Sequence, residues 1–231
     1  MGKSYLRNIL SAVSFLLMAA SLYMVFVYVP TEATMGIVQR IFYLMVPVAW
    51  LSLLSFLIVF IGSILYLRKK QSRWDVLARS SAEIGIIFTT LTLITGSLWA
   101  RPVWGVWWTW EPRLTATLVL WFIYLAYFLA RSLAAEEHRG ATFAAVVGIL
   151  GFVDVPIIGL ATTLWRGIHP GALIFQGGLA PSMLLTLMVS LAAFTALYSL
   201  LLLQRISMKN DEIEIKRLLG LTAERHNTGD R

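Results

Sequence analysis

Long apolar runs alternate with short polar segments along the whole 231-residue chain. Six of these runs are at or near the roughly 20 residues that an α-helix needs to cross a bilayer. Helix is the only open-ended structure that satisfies its own backbone hydrogen bonds in lipid. The pattern therefore predicts an all-α, polytopic membrane protein with six transmembrane helices. The predicted spans are about Ile9–Val29, Ile41–Leu67, Ile84–Trp99, Leu114–Leu133, Ala141–Leu164 and Leu179–Leu203.

The two ends of the chain are more polar than these runs. The first run follows Lys3 and Arg7, as in a signal peptide, but it exceeds the about 7–15 apolar residues of such a peptide, which predicts a retained span. The segment from Ser207 to Arg231 is polar and partly amphipathic, so we expect a short surface helix that frays toward its end. The predicted organisation is a membrane domain over residues 1–206 and a polar cytoplasmic tail over residues 207–231.

Composition agrees with a membrane protein and excludes cysteine chemistry. Hydrophobic residues make up 58% of the chain and charged residues only 13%, whereas soluble domains carry about 25% charged residues. Because the chain has no cysteine, it forms no disulfide, no thiolate metal site and no thioether bond to haem through its own side chains.

Basic residues predict the orientation in the membrane. With the N-terminus in the cytoplasm, fifteen lysines and arginines fall in inside segments and four in outside segments, which fits the positive-inside rule. Both termini are then inside. The net charge of +7 follows from this topology, so it favours contact with membrane lipid and gives no reason to expect a nucleic-acid partner.

The predicted outer segments carry an unusual set of side chains. Arginine binds carboxylates through a planar fork, and tryptophan presents a large flat apolar face. Histidine and methionine are axial ligands of haem iron. A flat apolar macrocycle with two carboxylate tails matches this set, which predicts a haem site formed by the short outer loops. The candidate residues are Trp104, Trp107, Trp108, Trp110, Glu111, Arg40, Arg101, Arg113, Arg166, His169 and Met45.

Each candidate also has a simpler explanation. Tryptophans gather at membrane interfaces as an aromatic belt, although a belt is spread around a bundle and rarely places four indoles within seven residues. His169 alone is an ordinary loop histidine, and Met45 alone fills space between helices. Only the combination of these residues favours a haem site.

Two acidic residues fall in or near the predicted spans. Acidic residues within a membrane are candidates for function, and Asp154 is either such a residue or a partner for backbone groups that Pro156 frees. Glu83 follows Arg79 by one helical turn, so we expect a salt bridge between them.

Four segments resemble a known family, in order and with similar spacing. "WGVWWTWEPRLT" resembles the signature W-G-x-W-W-x-W-D-x-R-L-T of haem-handling proteins in cytochrome c maturation (the WWD motif), with Glu111 in place of aspartate. "RIFYLMVPVAW" and "VDVPIIGLATTLWRGIHP" resemble the family's two histidine segments, and "AEIGIIFTTLTLITGSLWARPVWG" resembles the helix before the signature. With six spans in one short chain, the sequence resembles the haem exporter protein C (CcmC) family.

This resemblance implies a role. The family holds haem b, non-covalently and transiently, at the outer face of the bacterial inner membrane and promotes its covalent loading onto the haem chaperone CcmE. It works with CcmD and the ABC transporter CcmAB. The chain is then not expected to be an enzyme. The tryptophans would lie against the porphyrin, Arg113 and Arg101 are the first candidates for its propionates, and Glu111 would pair with an arginine.

The family's two axial histidines map onto His169 and onto position 45, which is methionine here. Three accounts of Met45 are open: His/Met ligation, which we favour, ligation by His169 alone until the chaperone arrives, or replacement by another residue. His138 and His226 lie on the predicted inner side and do not readily replace it.

Two other classes of protein compete with this interpretation. A transporter that moves haem across the bilayer would commonly show internal repeats and broken helices, and the sequence shows no repeat. A redox protein with permanent haem b would be favoured by paired histidines within the spans, and the sequence has none there.

Overall fold

A computed structural model describes the backbone of residues 2–164 and 178–229, and the side chains of residues 5–161 and 178–219. Within these residues the chain is helical and forms no strand. A π-helical turn, Met24–Tyr28, extends the first helix, and a 3-10 turn, Ile37–Ile41, leads into the second. The α-helices are α1 (Gly2–Tyr23), α2 (Phe42–Lys69), α3 (Ser72–Trp104), α4 (Pro112–Ser132), α5 (Glu137–Gly151), α6 (Asp154–Leu164) and α7 (Pro181–Gly229).

Six segments of the described chain are long and apolar enough to cross a membrane. This confirms the predicted number of spans and the all-α polytopic fold. The segments are Tyr5–Tyr28, Ile37–Lys69, Ser72–Trp104, Pro112–Ser132, Glu137–Ala161 and Pro181–Leu219.

Successive spans run in opposite directions, so the connections lie at two ends of the bundle. The tryptophan end contains the segments from Val29 to Ile41 and from Gly105 to Glu111. The basic end contains the α2–α3 connection at Lys70, the α4–α5 connection and the distal part of α7. This separation corresponds to the predicted outer and inner sides.

Helix α3 extends well beyond the predicted third span, Ile84–Trp99, in both directions. Its polar first part is held by an ion pair, because Arg131 of α4 donates two hydrogen bonds to Asp75, at 2.6 and 2.5 Å. At its other end α3 continues to Trp104. Gly105 ends the helix: its φ of 78° is left-handed, and its N–H donates a hydrogen bond to the Arg101 carbonyl at 3.0 Å.

The fifth span is not the continuous helix that the apolar run predicts. Helix α5 ends at Gly151, residues Phe152 and Val153 form a turn, and α6 begins at Asp154. Pro156 accounts for the break, because it has no N–H to donate to the Phe152 carbonyl. The N–H of Val155 donates to that carbonyl instead, at 3.1 Å.

The last span continues into the tail as one helix of 49 residues, α7. The segment after Ser207 is helical, as expected, but it continues α7 and does not form a short surface helix. No proline or glycine interrupts residues 182–219, and local ion pairs support the polar part: Glu212 pairs with Lys209 at 3.1 Å and with Lys216 at 3.2 Å. The helix crosses the predicted domain boundary at residue 206 without a break.

Small side chains let α2 and α3 approach closely at the centre of the bundle. Ser52 and Thr89 share a hydrogen bond of 2.6 Å between the two helices. At Gly85 an added Cβ would lie 2.5 Å from the Tyr124 hydroxyl and 2.8 Å from the Ser55 Cβ. Small residues at helix contacts are typical of membrane bundles, where packing and interhelical hydrogen bonds hold the helices together.

Candidate functional site

The tryptophan-rich segment is divided between two helices and a short connection. Trp104 is the last residue of α3, and the connection comprises Gly105–Glu111. The predicted third span ended at Trp99 and the fourth began at Leu114, so both helices extend further than predicted: Arg101 belongs to α3 and Arg113 to α4. The helices fix both ends of a seven-residue connection that carries the other three tryptophans of the motif.

Glu111 holds the start of α4. It is the N-cap residue, with Pro112 at the first helical position, and its carboxylate accepts a hydrogen bond from the Leu114 N–H at 3.3 Å. Burial raises the pKa of Glu111, and this outweighs the lowering by the Leu114 N–H and by the charge of Arg113. The expected ion pair with an arginine is not formed among the described side chains, so the role of Glu111 here is to cap the helix.

The indole rings do not lie in one plane. Trp108 and Trp110 meet edge to face, with ring centroids 5.8 Å apart and an interplanar angle of 80°. Trp104 meets Trp99 of α3 in the same way, at 5.2 Å and 84°. A flat ligand can therefore lie against one ring of each pair and meet only the edge of the other.

Two of the tryptophans face outward at the tryptophan end. Trp110 is 76% exposed and Trp107 is 57% exposed. The Arg101 guanidinium lies 5.9 Å from the centroid of the Trp107 ring, which is within cation–π range, and it also donates a hydrogen bond to the Gly105 carbonyl. The structure thus joins one predicted arginine to one predicted tryptophan at an accessible surface.

Several buried polar atoms around this segment have unused hydrogen-bonding capacity in the part of the chain that the structure describes. They are the Nε1 of Trp108, the Oγ1 atoms of Thr109 and Thr115, and the Nε of Arg40. A buried polar atom without a hydrogen bond lowers the stability of the fold. All four of these groups can donate a hydrogen bond to a carboxylate. Sequence reasoning missed the two threonines, although both lie within the motif.

Arg40 and Met45 lie at the same end of the bundle. Arg40 is on the 3-10 turn that contacts α3, and Met45 is in the first turn of α2; both are half-buried. The preceding residue, Gln39, is buried and donates to the Tyr43 hydroxyl at 2.7 Å, a contact that the spacing of four residues along a helix could have indicated. The structure therefore brings Arg40 and Met45 to the tryptophan end.

Two predicted residues, Arg166 and His169, lie outside the described residues. His138 lies at the basic end, where its Nδ1 shares a hydrogen bond of 2.8 Å with the Tyr66 hydroxyl. This position supports the expectation that His138 does not replace position 45 as a ligand. The side chain of His226 is also outside the described part.

The two acidic residues of the spans have different surroundings. The predicted salt bridge of Glu83 with Arg79 is confirmed, at 3.3 Å, and Glu83 also pairs with Arg205 and with Lys209 of α7. Asp154 is buried at the break between α5 and α6, and its Oδ2 has no hydrogen-bond partner among the described residues. The sequence had indicated this position, because Asp154 lies two residues before Pro156 within an apolar run.

Comparison with known proteins identifies related chains. The family model of haem exporter protein C matches residues 3–219. The haem exporter protein C of Bradyrhizobium diazoefficiens is 36% identical over 205 residues, which cover 87% of this chain and 77% of that protein. That of Escherichia coli K12 is 30% identical over 181 residues, covering 78% and 74%. A cytochrome c biosynthesis ccmC-like mitochondrial protein of Marchantia polymorpha is 33% identical over 189 residues, covering 81% and 80%.

Proposed function

Because the chain belongs to the haem exporter protein C family, which handles haem in cytochrome c biogenesis, we propose that its tryptophan end binds haem and presents it to a partner. The haem is b-type and is held non-covalently and transiently. The partner is the haem chaperone CcmE, and the chain acts together with CcmD and the ABC transporter CcmAB. The protein binds haem and delivers it to the partner, and it is not an enzyme.

The observation that carries this proposal is the accessible pairing of apolar faces with cations at one end of the bundle. Trp107 and Trp110 are exposed, and Arg101 lies against Trp107. The unpaired donors of Trp108, Thr109 and Arg40 add hydrogen-bonding capacity for a carboxylate. Exposed indoles match the porphyrin face, and guanidinium groups match its propionates.

The residues of the site have distinct proposed roles. Trp107 and Trp110 contact the macrocycle, and the arginines Arg101, Arg113, Arg40 and Arg166 hold its propionates. Met45 and His169 would be the ligands of the iron. Glu111 keeps the connection in place by capping α4. Holding haem and the chaperone's nucleophile together supplies much of the rate of the loading step, because it replaces an encounter in solution.

The orientation of the site is part of the proposal. The basic end carries Arg68, Lys69, Arg79, Arg131 and Arg205, whereas the described segments of the tryptophan end contain arginines but no lysine. The positive-inside rule then places the basic end in the cytoplasm and the tryptophan end outside. The membrane is the bacterial inner membrane, crossed several times.

The test is haem retention by exposed tryptophans compared with a lipid-facing one. We expect Trp107→Leu/Trp110→Leu protein, purified in detergent and supplied with haem, to lose most of the Soret absorbance of the wild type. Trp50→Leu is the control, since Trp50 is 45% exposed but lies within α2, where it donates to Thr195 at 3.3 Å. Equal loss of haem in both variants would contradict the proposed site and support an aromatic belt.

Iron ligation is tested by spectra at position 45. If Met45 is an axial ligand, Met45→Ala removes the His/Met signature from the oxidised and reduced spectra, and Met45→His converts it to a two-nitrogen spectrum with a lower reduction potential. If the spectrum of Met45→Ala is unchanged, either His169 is the sole protein ligand of the iron or a residue other than Met45 is the second ligand.

One observation favours the second candidate function, a transporter that moves haem across the bilayer. The fifth span is broken at Phe152 and Val153, with the buried carboxyl of Asp154 at the break, and broken helices near the midplane are common in transporters. In vesicles with haem enclosed on one side, a transporter would move haem without CcmE, and Asp154→Asn would change that rate. The first proposal requires no such movement.

A further inference from the structure

A lateral groove separates α3 from α7 in the half of the bundle nearest the basic end. Its volume is about 230 Å³. Ile84, Ile87 and Phe88 of α3 form one wall, and Leu201 and Met208 of α7 form the other. Ile87 is 59% exposed and Met208 also 59%, so the groove opens sideways, toward the surface that would face lipid.

The polar residues of the groove lie at the depth where the membrane is expected to end. The apolar run of α7 ends at Leu203, and Gln204 and Arg205, which both line the groove, follow it. Leu201 and Phe88 lie further from the basic end, because α7 runs toward that end and α3 runs away from it. The groove is thus apolar toward the bilayer centre and has its polar side chains, Gln204 and Arg205, in the part nearer the basic end, one turn before Met208.

The charges beside the groove are unbalanced. Glu83 is shared by Arg79, Arg205 and Lys209, at 3.3 Å from Arg79 and 3.7 Å from Lys209. Glu212 is shared by Lys209 and Lys216. At Glu83, beside Arg205 of the groove, three cations therefore share one carboxylate, which leaves an excess of positive charge in this cluster.

We propose that this groove binds one acyl chain of an anionic phospholipid, with the phosphate-bearing headgroup at Gln204 and Arg205. The acyl chain packs against Ile87, Phe88 and Leu201, and the excess positive charge attracts the headgroup. A basic cluster next to an apolar slot at the membrane interface suits a molecule with one anionic and one apolar end. With the basic end in the cytoplasm, the lipid belongs to the inner leaflet.

The size of the groove favours a chain over a helix. An α-helix with its side chains is about 10–12 Å wide, so ten residues of it form a cylinder of roughly 1,200 Å³. The groove provides about 230 Å³, far less than such a cylinder, so a helix would insert only side chains here, whereas part of a slender acyl chain can lie within the groove.

Native mass spectrometry of the detergent-purified protein tests the proposal, with phosphatidylglycerol and phosphatidylcholine titrated separately. We expect the wild type to retain one phosphatidylglycerol in preference to phosphatidylcholine. Ile87→Trp fills the groove from its exposed rim and should abolish this preference. Leu203→Trp is the matched control, since Leu203 is an exposed residue of α7 that does not line the groove.

A second pair of variants tests the headgroup without changing the apolar walls. Gln204→Glu places a negative charge at the proposed headgroup position and should weaken phosphatidylglycerol binding about fivefold, the factor that corresponds to roughly 1 kcal/mol for one charge near a membrane surface. Asn210→Asp makes the same chemical change on an exposed residue of α7 outside the groove and should have a smaller effect.

Three results would overturn the proposal. Equal retention of both lipids by the wild type would indicate unspecific lipid at the protein surface. Equal effects of Ile87→Trp and Leu203→Trp would remove the groove as the site. Displacement of the bound lipid by haem, with haem binding lost in Ile87→Trp, would assign the groove to haem.

Discussion

The ion pair between Asp75 and Arg131 joins the first turn of α3 to the last turn of α4 and is the least exposed pair that links two helices at the basic end among the described residues. Arg131 donates two hydrogen bonds to the carboxylate, and the two side chains are only 10% and 14% exposed. Removing one partner of such a pair leaves a poorly solvated charge without compensation. We therefore expect Asp75→Asn to destabilise the protein strongly.

The size of the effect follows from burial. Removing one partner of a fully buried ion pair lowers the free energy of unfolding by about 3–5 kcal/mol. Because both side chains of this pair keep a little exposure, we expect a loss of about 3 kcal/mol for Asp75→Asn. For a protein of 150–250 residues, about 1 kcal/mol shifts the Tm by roughly 2–4 °C, so the expected loss is roughly 6–12 °C. Thermal unfolding in detergent, followed by tryptophan fluorescence, measures it.

A matched exposed pair provides the control. Glu136 and Arg139 are 3.2 Å apart at the same end, but their side chains are 65% and 69% exposed. Glu136→Gln should cost less than about 1 kcal/mol, because water solvates both charges. Asp75→Asn/Arg131→Gln should cost less than the sum of its single substitutions. A Tm loss for Asp75→Asn no larger than that for Glu136→Gln, or strict additivity in the double variant, would refute the reasoning.

Four further predictions concern the site and the bundle. Glu111→Ala should lower stability by about 1 kcal/mol, measured as a lower Tm, because α4 loses its N-cap, whereas Glu111→Asp should retain the cap. Burial raises the pKa of Glu111, so the part of its contribution that is linked to protonation is fully present below the unfolded pKa and is lost as the pH rises through the folded pKa; the Tm of Glu111→Gln should lack this dependence. Arg113→Lys should reduce haem retention in the absorption spectrum although the charge is kept, because lysine cannot bind a carboxylate in a bidentate manner; unchanged haem content would contradict this. Gly85→Ala should cost about 1–3 kcal/mol in thermal unfolding, since the new methyl group would meet the Tyr124 hydroxyl at 2.5 Å.

Local features of the fold could be predicted from the sequence, and contacts between distant segments could not. The start of α4 was predicted within two residues, because the apolar run begins just after a proline that suits the first helical position. The Glu83–Arg79 pair follows from their spacing on one helix. The partners of Asp75 and of Glu83 on α4 and α7 lie 56 and 122 residues away, and no periodicity within one helix indicates them.

The candidate site shows the same division. The motif identified the residues, and their accumulation at one end of the bundle follows from the alternation of the spans. The ring orientations of Trp108 and Trp110 and the unpaired atoms of Thr109 and Thr115 depend on how the connection is held between α3 and α4. The expectation that the tryptophans lie together against the porphyrin did not take into account that neighbouring aromatic rings also favour edge-to-face contact.

The uninterrupted course of α7 has a mechanical consequence. At about 1.5 Å per residue, its 49 residues form a rod roughly 73 Å long, more than twice the thickness of the hydrocarbon core. Sharp kinks need a proline, a glycine–serine pair or a bulge, and residues 182–219 contain neither proline nor glycine. Tilting the part of this helix at the basic end therefore also displaces its opposite end, so a force applied on one side of the membrane would be transmitted to the other side along one continuous helix.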